Sequence, residues 1–242
     1  MTKQIWIFSI AALMYMAIGT ASAIPTLQLD IEGGYYDPVH EDMVSGSSVF
    51  NLYAYGNSNG TTGGGGNVTT AEMLTNTYYL SIALTPTVET ATNLGSIDVN
   101  GTTYSATSDF NFGTPPFDAT ANPDLTHGGY FDTYYLELDF QFDPTMTASL
   151  VNTQTDGGSA PDTSGSDMFY IPFAIDMSNL LDGYNLHFDL YTTRDRNGQI
   201  VRGDFAPYSH DASTNVPEPA SLVLFGMGLL GIGVMSRRRK LI

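Results

Sequence analysis

Tyr134-Tyr135-Leu136-Glu137-Leu138-Asp139-Phe140-Gln141-Phe142-Asp143 is the stretch that decides the fold class. Tyr134, Leu136, Leu138, Phe140 and Phe142 share one face of an extended chain, and Glu137, Asp139, Gln141 and Asp143 share the other, because successive strand side chains point to opposite sides. That is a half-buried strand. The same period of two recurs at Phe50, Leu52, Ala54; at Tyr78, Leu80, Ile82, Leu84; at Phe169, Ile171, Phe173, Ile175; and at Leu186, Phe188, Leu190. Asn100-Gly101 lies between Ile97–Val99 and Thr102–Tyr104, and Asn197-Gly198 between Asp189–Thr193 and Gln199–Val201. Both read as hairpins, since a type I′ turn needs two residues that tolerate positive φ. Helix is sparse: the best candidate is Met177–Leu181, a single turn capped by Ser178 and ended by Gly183, with another short turn at Ala71–Leu74. Gly56–Gly66 and Asp156–Ser166 are polar, Gly- and Ser-rich, and read as surface loops. The pattern predicts an all-β fold, an antiparallel β-sandwich, with a β-barrel as the second choice.

The two ends differ from this middle. Lys3, an apolar run from Ile5 to Ile18 and the small residues Ala21, Ser22, Ala23 follow the order of a secretory signal peptide, with cleavage expected after Ala23 by signal peptidase. At the other end stand Val216, Pro217, Glu218, Pro219, Ala220 and Ser221, then an apolar, Gly-rich stretch from Leu222 to Met235, then Arg237, Arg238, Arg239 and Lys240. The prolines favour an extended segment that a protease groove can receive. Ala220 to Ser236 as a helix covers roughly 25 Å, a marginal membrane span. The basic cluster fixes its orientation by the positive-inside rule. The expected organisation is a signal peptide at 1–23, an exported β-rich domain at 24–209, a linker at 210–215 and a sorting tail at 216–242.

Trimming the ends sharpens the charge. The whole chain has eight Lys and Arg against 25 Asp and Glu, and residues 24–216 keep only Arg194, Arg196 and Arg202 against 24 acids. Such a surface repels nucleic acid and anionic lipid and attracts cations. The chain has no cysteine, its one tryptophan is Trp6, and its lysines lie in the two ends. No disulfide, thiol nucleophile or Schiff-base lysine is therefore available to the middle segment.

Val216-Pro-Glu-Pro-Ala-Ser221 followed by a Gly-rich apolar segment and Arg-Arg-Arg-Lys resembles the PEP-CTERM sorting signal. The resemblance implies that an exosortase, an integral-membrane cysteine protease, recognises Pro217, Glu218 and Pro219, cuts near them, and releases or transfers the mature protein. Those residues are then a recognition site for another enzyme. Ile24–Pro38 and His127–Tyr135 are similar to the choice-of-anchor surface proteins, in particular the group labelled N. That second resemblance implies location and leaves the chemistry open.

Gly56-Asn-Ser-Asn-Gly60 matches the G-x-S-x-G elbow of serine hydrolases in letters, but the glycines after Thr61 and Thr62 give no helix to strain and expose Ser58. His40, His127, His187 and His210 show no paired ligand spacing, so surface or hydrogen-bonded roles are expected of them. A carboxylate pair for glycoside hydrolysis depends on a spatial separation, and the abundance of acids names no pair. No cofactor is expected; calcium is the metal whose donors are present, at Asp30, Glu32, Asp37, Glu41 and Asp42 and at Asp156, Asp162 and Asp167. Neither segment follows the D-x-[DN]-x-[DN]-G loop, and solvated acidity is the simpler account. The pairs Tyr35-Tyr36, Tyr78-Tyr79 and Tyr134-Tyr135 must each turn one ring outward on a strand, where it could stack on sugar.

These observations lead to a non-enzymatic surface or extracellular-matrix protein, first held in the membrane by its C-terminal helix. An exopolysaccharide-binding module ordered by calcium is the alternative. Replacing Pro217, Glu218 and Pro219 by alanine should leave export intact while the uncut protein stays in the membrane. Deleting Leu222 to Lys240 should instead release unprocessed protein. Mass spectrometry of the C-terminus in cells with and without the exosortase checks both; identical mature masses would reduce the tail to a plain anchor.

Overall fold

The computed structural model of the protein describes residues 26–58, 68–115, 132–196, 199–207 and 210–215. In chain order the elements are β1 (Leu27–Ile31), β2 (Tyr35–Asp37), β3 (Asp42–Ser45), β4 (Val49–Gly56), α1 (Thr70–Thr75), β5 (Tyr78–Thr85), β6 (Ser96–Val99), β7 (Thr102–Ser105), β8 (Asn111–Gly113), β9 (Thr133–Phe140), β10 (Thr147–Ala148), α2 (Thr153–Asp156), β11 (Met168–Asp176), β12 (Asn185–Arg196), β13 (Gln199–Phe205) and β14 (Asp211–Thr214). They form two sheets. One runs β1-β4-β11-β6-β7 with β10 beside β11; the other runs β2-β3-β14-β12-β5-β9-β8 with β13 beside β12. Every described ladder is antiparallel except β3 with β14.

The alternation read from the sequence explains why the sheets meet. Leu52 and Ala54 of β4, Leu80, Ile82 and Leu84 of β5, and Leu186, Phe188 and Leu190 of β12 belong to one buried cluster with Leu27, Leu29 and Ile31 of β1. Two aromatic contacts cross the interface edge to face: Phe50 with Phe188 at 6.0 Å and Phe140 with Phe173 at 5.4 Å. Burial of this apolar face is the main favourable term in a chain without disulfides. The all-β, sandwich-type architecture expected from the sequence is the one found.

Turn chemistry also follows the sequence at Asn100-Gly101, which have φ of 51° and 78° and join β6 to β7 as a type I′ hairpin requires. The second turn, Asn197-Gly198, lies outside the described residues, although its flanks pair at Arg196 and Gln199.

The expected short turns are found, and one expectation is corrected. Met177–Leu181 forms the single turn expected, too short to count as an α-helix, closed by Leu180 N–H on the Met177 carbonyl at 2.9 Å. The turn also pairs across to residues 94–96, where Leu181 N–H donates to Leu94 O and Ser96 N–H donates to Asn179 O. Helix appears at α1, over the turn expected at Ala71–Leu74, where Thr69 and Glu72 make a reciprocal capping box, and also at α2, capped by Asn152, which the sequence pattern did not indicate. Residues 210–215 are no linker. β14 is inserted between β3 and β12, with Asp211, Ala212 and Thr214 buried and Leu186 N–H bonded to Thr214 Oγ1 at 2.8 Å. A strand paired on both sides is held by its backbone, so Asp-Ala-Ser-Thr needs no large side chain.

The loop after α2 is likewise tied down. Asp30 Oδ1 accepts Gly158 N–H at 2.7 Å, and the Asp162 carbonyl accepts Ser149 N–H at 2.8 Å. This segment and α2 cover the outer face of β1, where Gln28 bonds the Val151 carbonyl and Thr153 N–H. Tyr53, Tyr55 and Tyr170 pack there against Ala148, Val151 and Met168.

Gly95 shows how closely the 94–96 and 177–181 segments approach. It has φ of +87°, and a Cβ placed on it would lie 1.9 Å from the Asn179 carbonyl oxygen. Gly95→Ala should cost about 2–4 kcal/mol, read as a lower denaturation midpoint at unchanged denaturant slope.

Candidate functional site

The pleat of the eight-stranded sheet sends Leu186, Phe188 and Leu190 into the core and His187, Asp189 and Tyr191 to the opposite face. Register then aligns polar residues of six strands on that face. Asp37 pairs with Asp42, Asp42 with Asp211, Asp189 with Ser81, and Ser81 with Glu137. β12 and β14 are joined at Phe188–Ala212, which brings Asp189 and Asp211 together one step along. A band of carboxylates thus crosses the sheet, and directly opposed like charges are destabilising.

The centre of the band is buried: Asp211 is 0% exposed, Asp189 2% and Asp42 7%. One ligand atom each of His187, Asp189 and Asp211 lies within 4.8 Å of the others, and His187 Nε2 stands 3.5 Å from Asp189 Oδ1. Among the described residues Asp42 Oδ1 and the fully buried Ser81 Oγ have no hydrogen-bond partner. Burial pulls the His187 pKa down, but the charge and hydrogen bond of Asp189, then the charges of Asp211 and Asp42, outweigh it and hold it up at about 9. Beside this centre Tyr191 stacks on Tyr79 at 5.2 Å and donates its hydroxyl hydrogen to Glu137.

The other sequence candidates sit apart from it. Ser58 Oγ contacts the Thr70 hydroxyl at 3.1 Å. His40 Nδ1 is 2.7 Å from Asp37 Oδ2 on the surface, and His210, buried, meets Asn152 Oδ1 at 3.0 Å. Burial alone pushes the His210 pKa down to about 4. Of the tyrosine pairs, Tyr35 is exposed while Tyr36 bonds Gln154; Tyr78 is buried while Tyr79 faces out under Tyr191; Tyr134 packs on Phe112 at 5.3 Å. His127 lies outside the described residues, as do Ala21 and Ala23, Val216, Pro217, Glu218 and Pro219, and Arg237, Arg238, Arg239 and Lys240.

Comparison with protein families matches residues 215–240 to the PEP-CTERM protein-sorting motif. The chain carries a PEP-CTERM sorting signal. This marks it as an exported protein, made as a membrane-anchored precursor that an exosortase processes to the cell surface. Comparison with curated proteins and with solved structures found no match. No helix among the described residues is long and apolar enough to cross a membrane. The matched motif begins at Asn215, whose N–H donates to the Ser45 carbonyl at 2.8 Å, directly after the last residue of β14. The sorting segment of this PEP-CTERM protein therefore leaves the sheet with no spacer.

The acids first considered for calcium in the PEP-CTERM protein are mostly engaged by their own neighbours. Glu32 accepts from Asn51 Nδ2 and Tyr53 OH, Asp37 from the His40 ring and then from Val39 N–H, and Asp162 from Ser164 and Ser149, and each of these carboxyls is held below its ordinary range by the bonds. Asp37 stands at the edge of the band, and Asp42 alone joins its buried centre. What could have revealed the centre is His187-x-Asp189 on a strand already assigned, since a spacing of two puts both on one face.

Asp30 is a different case. Burial raises its pKa to about 7, against the opposing pull of the Gly158 and Ile31 N–H bonds. A folded value above the unfolded one means stabilisation that is complete below about pH 3.8 and lost as pH rises through about 7. Asp30→Asn keeps the acceptor and removes the ionisation. Relative to the variant, the wild type should lose on the order of 2 kcal/mol between pH 5 and 8. Parallel stability–pH curves, measured by denaturant unfolding, would refute this.

Proposed function

We propose that the domain exported by this PEP-CTERM protein is a non-catalytic structural component of the cell surface or extracellular matrix. The observation that carries the reading is the position of the sorting motif, which starts at the residue after β14. Processing there delivers the folded sandwich itself, with little free chain behind it. Supporting this, Ser58 contacts a threonine hydroxyl and the surface carboxylates bond to their own loops. The acidic excess keeps such a domain soluble at high local concentration and open to bridging cations.

A second reading is favoured by one observation. An open cleft of about 530 Å³ is lined by Glu32, Asn51, Asp98 and Asp176 beside Phe50, and Asp98 and Asp176 are direct cross-strand partners. Its size admits a small part of a glycan, and its carboxylates and amide suit sugar hydroxyls or a bridging calcium ion. On this reading the domain retains exopolysaccharide.

The purified exported protein should turn over no polysaccharide or peptide substrate. Hydrolysis abolished by one carboxylate substitution would sink the structural reading. Retention on the organism's own polysaccharide, lost in an Asp98→Ala, Asp176→Ala double variant, would select the second.

A further inference from the structure

We infer that His187, Asp189, Asp211 and Asp42 form a binding site for a first-row divalent transition ion of the zinc class, which clamps the C-terminal strand to its sheet. Four observations converge. The ligand atoms of His187, Asp189 and Asp211 lie within 4.8 Å of one another, a spread that small side-chain rotations close to the roughly 3.4 Å between ligands around a zinc ion. Asp42 is paired in register with Asp211, and its Oδ1, in a residue nine-tenths buried, has no hydrogen-bond partner among the described residues. Ser81, fully buried and opposite Asp189, presents an equally unpartnered hydroxyl to the same face. Finally, Asp42, Asp211 and Asp189 are buried on three adjacent strands, where a divalent cation between them would offset the cost of desolvating carboxylates.

The donor set selects the ion. Calcium takes six to eight oxygens, and an imidazole is outside that set. One nitrogen with three carboxylates belongs instead to zinc and its neighbours. The strands that supply the ligands give the site its consequence. β14 has four residues, with only Ala, Ser and Thr beside Asp211, and adds little apolar burial of its own. An ion held jointly by β3, β12 and β14 would turn mutual repulsion into a cross-link, at the strand from which the sorting segment departs. The inference stands whether the domain is structural or binds polysaccharide.

The test uses the full-length chain purified in detergent, stripped with a chelator and titrated with zinc chloride in the presence and absence of calcium. The expected result is one zinc ion bound per chain at this site, a higher unfolding midpoint, and at least tenfold slower hydrogen exchange at the amides of residues 211–214. His187→Gln and Asp189→Asn, checked for native circular dichroism, should each weaken zinc binding at least tenfold; a variant that fails to fold is replaced by Asp42→Asn. Stripped and loaded wild-type protein with equal exchange at 211–214 would overturn the proposal. So would wild-type zinc affinity in the folded variants, or displacement of zinc by equimolar calcium.

Discussion

The pleat of β12 is the constraint on which the rest of the structure depends. It is the strand to which β5, β13 and β14 all attach, and its two faces have opposite chemistry. Leu186, Phe188 and Leu190 fix the inner face against the second sheet, and a shift of one residue would put His187 and Asp189 into the core. Register is therefore specified by the cost of burying those groups without partners as much as by the gain from the aliphatic side chains. Once it is set, the paired strands follow: Ser81 must face Asp189, and Asp211 must join them from β14.

The outer face of that sheet carries a tension that the inner face does not. Carboxylates from β2, β3, β14 and β12 stand side by side, and the described residues answer them with His187 and with hydrogen bonds at the band's ends, His40 on Asp37 and Tyr191 on Glu137. On the other sheet the outward polar groups are resolved differently. Gln28 and Asp30 are covered by α2 and its following loop, whose backbone N–H groups bond to them directly. The two faces thus differ in kind: one is capped by a segment of its own chain, and the other concentrates charge.

How much of this was legible in the sequence can be argued strand by strand. β5, β9, β11 and β12 announce themselves because each is half-buried along a run of apolar residues at a spacing of two. β14 does not, because a short strand enclosed between two others is held by backbone bonds, and Asp-Ala-Ser-Thr reads as a polar connection. The 156–166 stretch misled for the same reason: its glycines and serines signal a loop, which it is, but not that Gly158 N–H would anchor on Asp30 more than a hundred residues away. Of the site, the spacing of His187 and Asp189 on a predicted strand puts them on one face, but a search for paired histidines passes over it. Their meeting with Asp42 and Asp211 depends on a parallel β3–β14 pairing that no local pattern encodes.

The central claim is that the exported fold runs without a spacer to the sorting motif, its last strand being part of the sheet. The most direct test compares the thermal unfolding of residues 24–215 with that of residues 24–209. If β14 belongs to the sheet, removing 210–215 takes Ala212 out of the core, exposes the Phe188 region and leaves the facing edges of β3 and β12 without a partner, so the shorter chain should lose its cooperative transition or melt far below the longer one. Equal midpoints would contradict the account and return those six residues to the role of a linker.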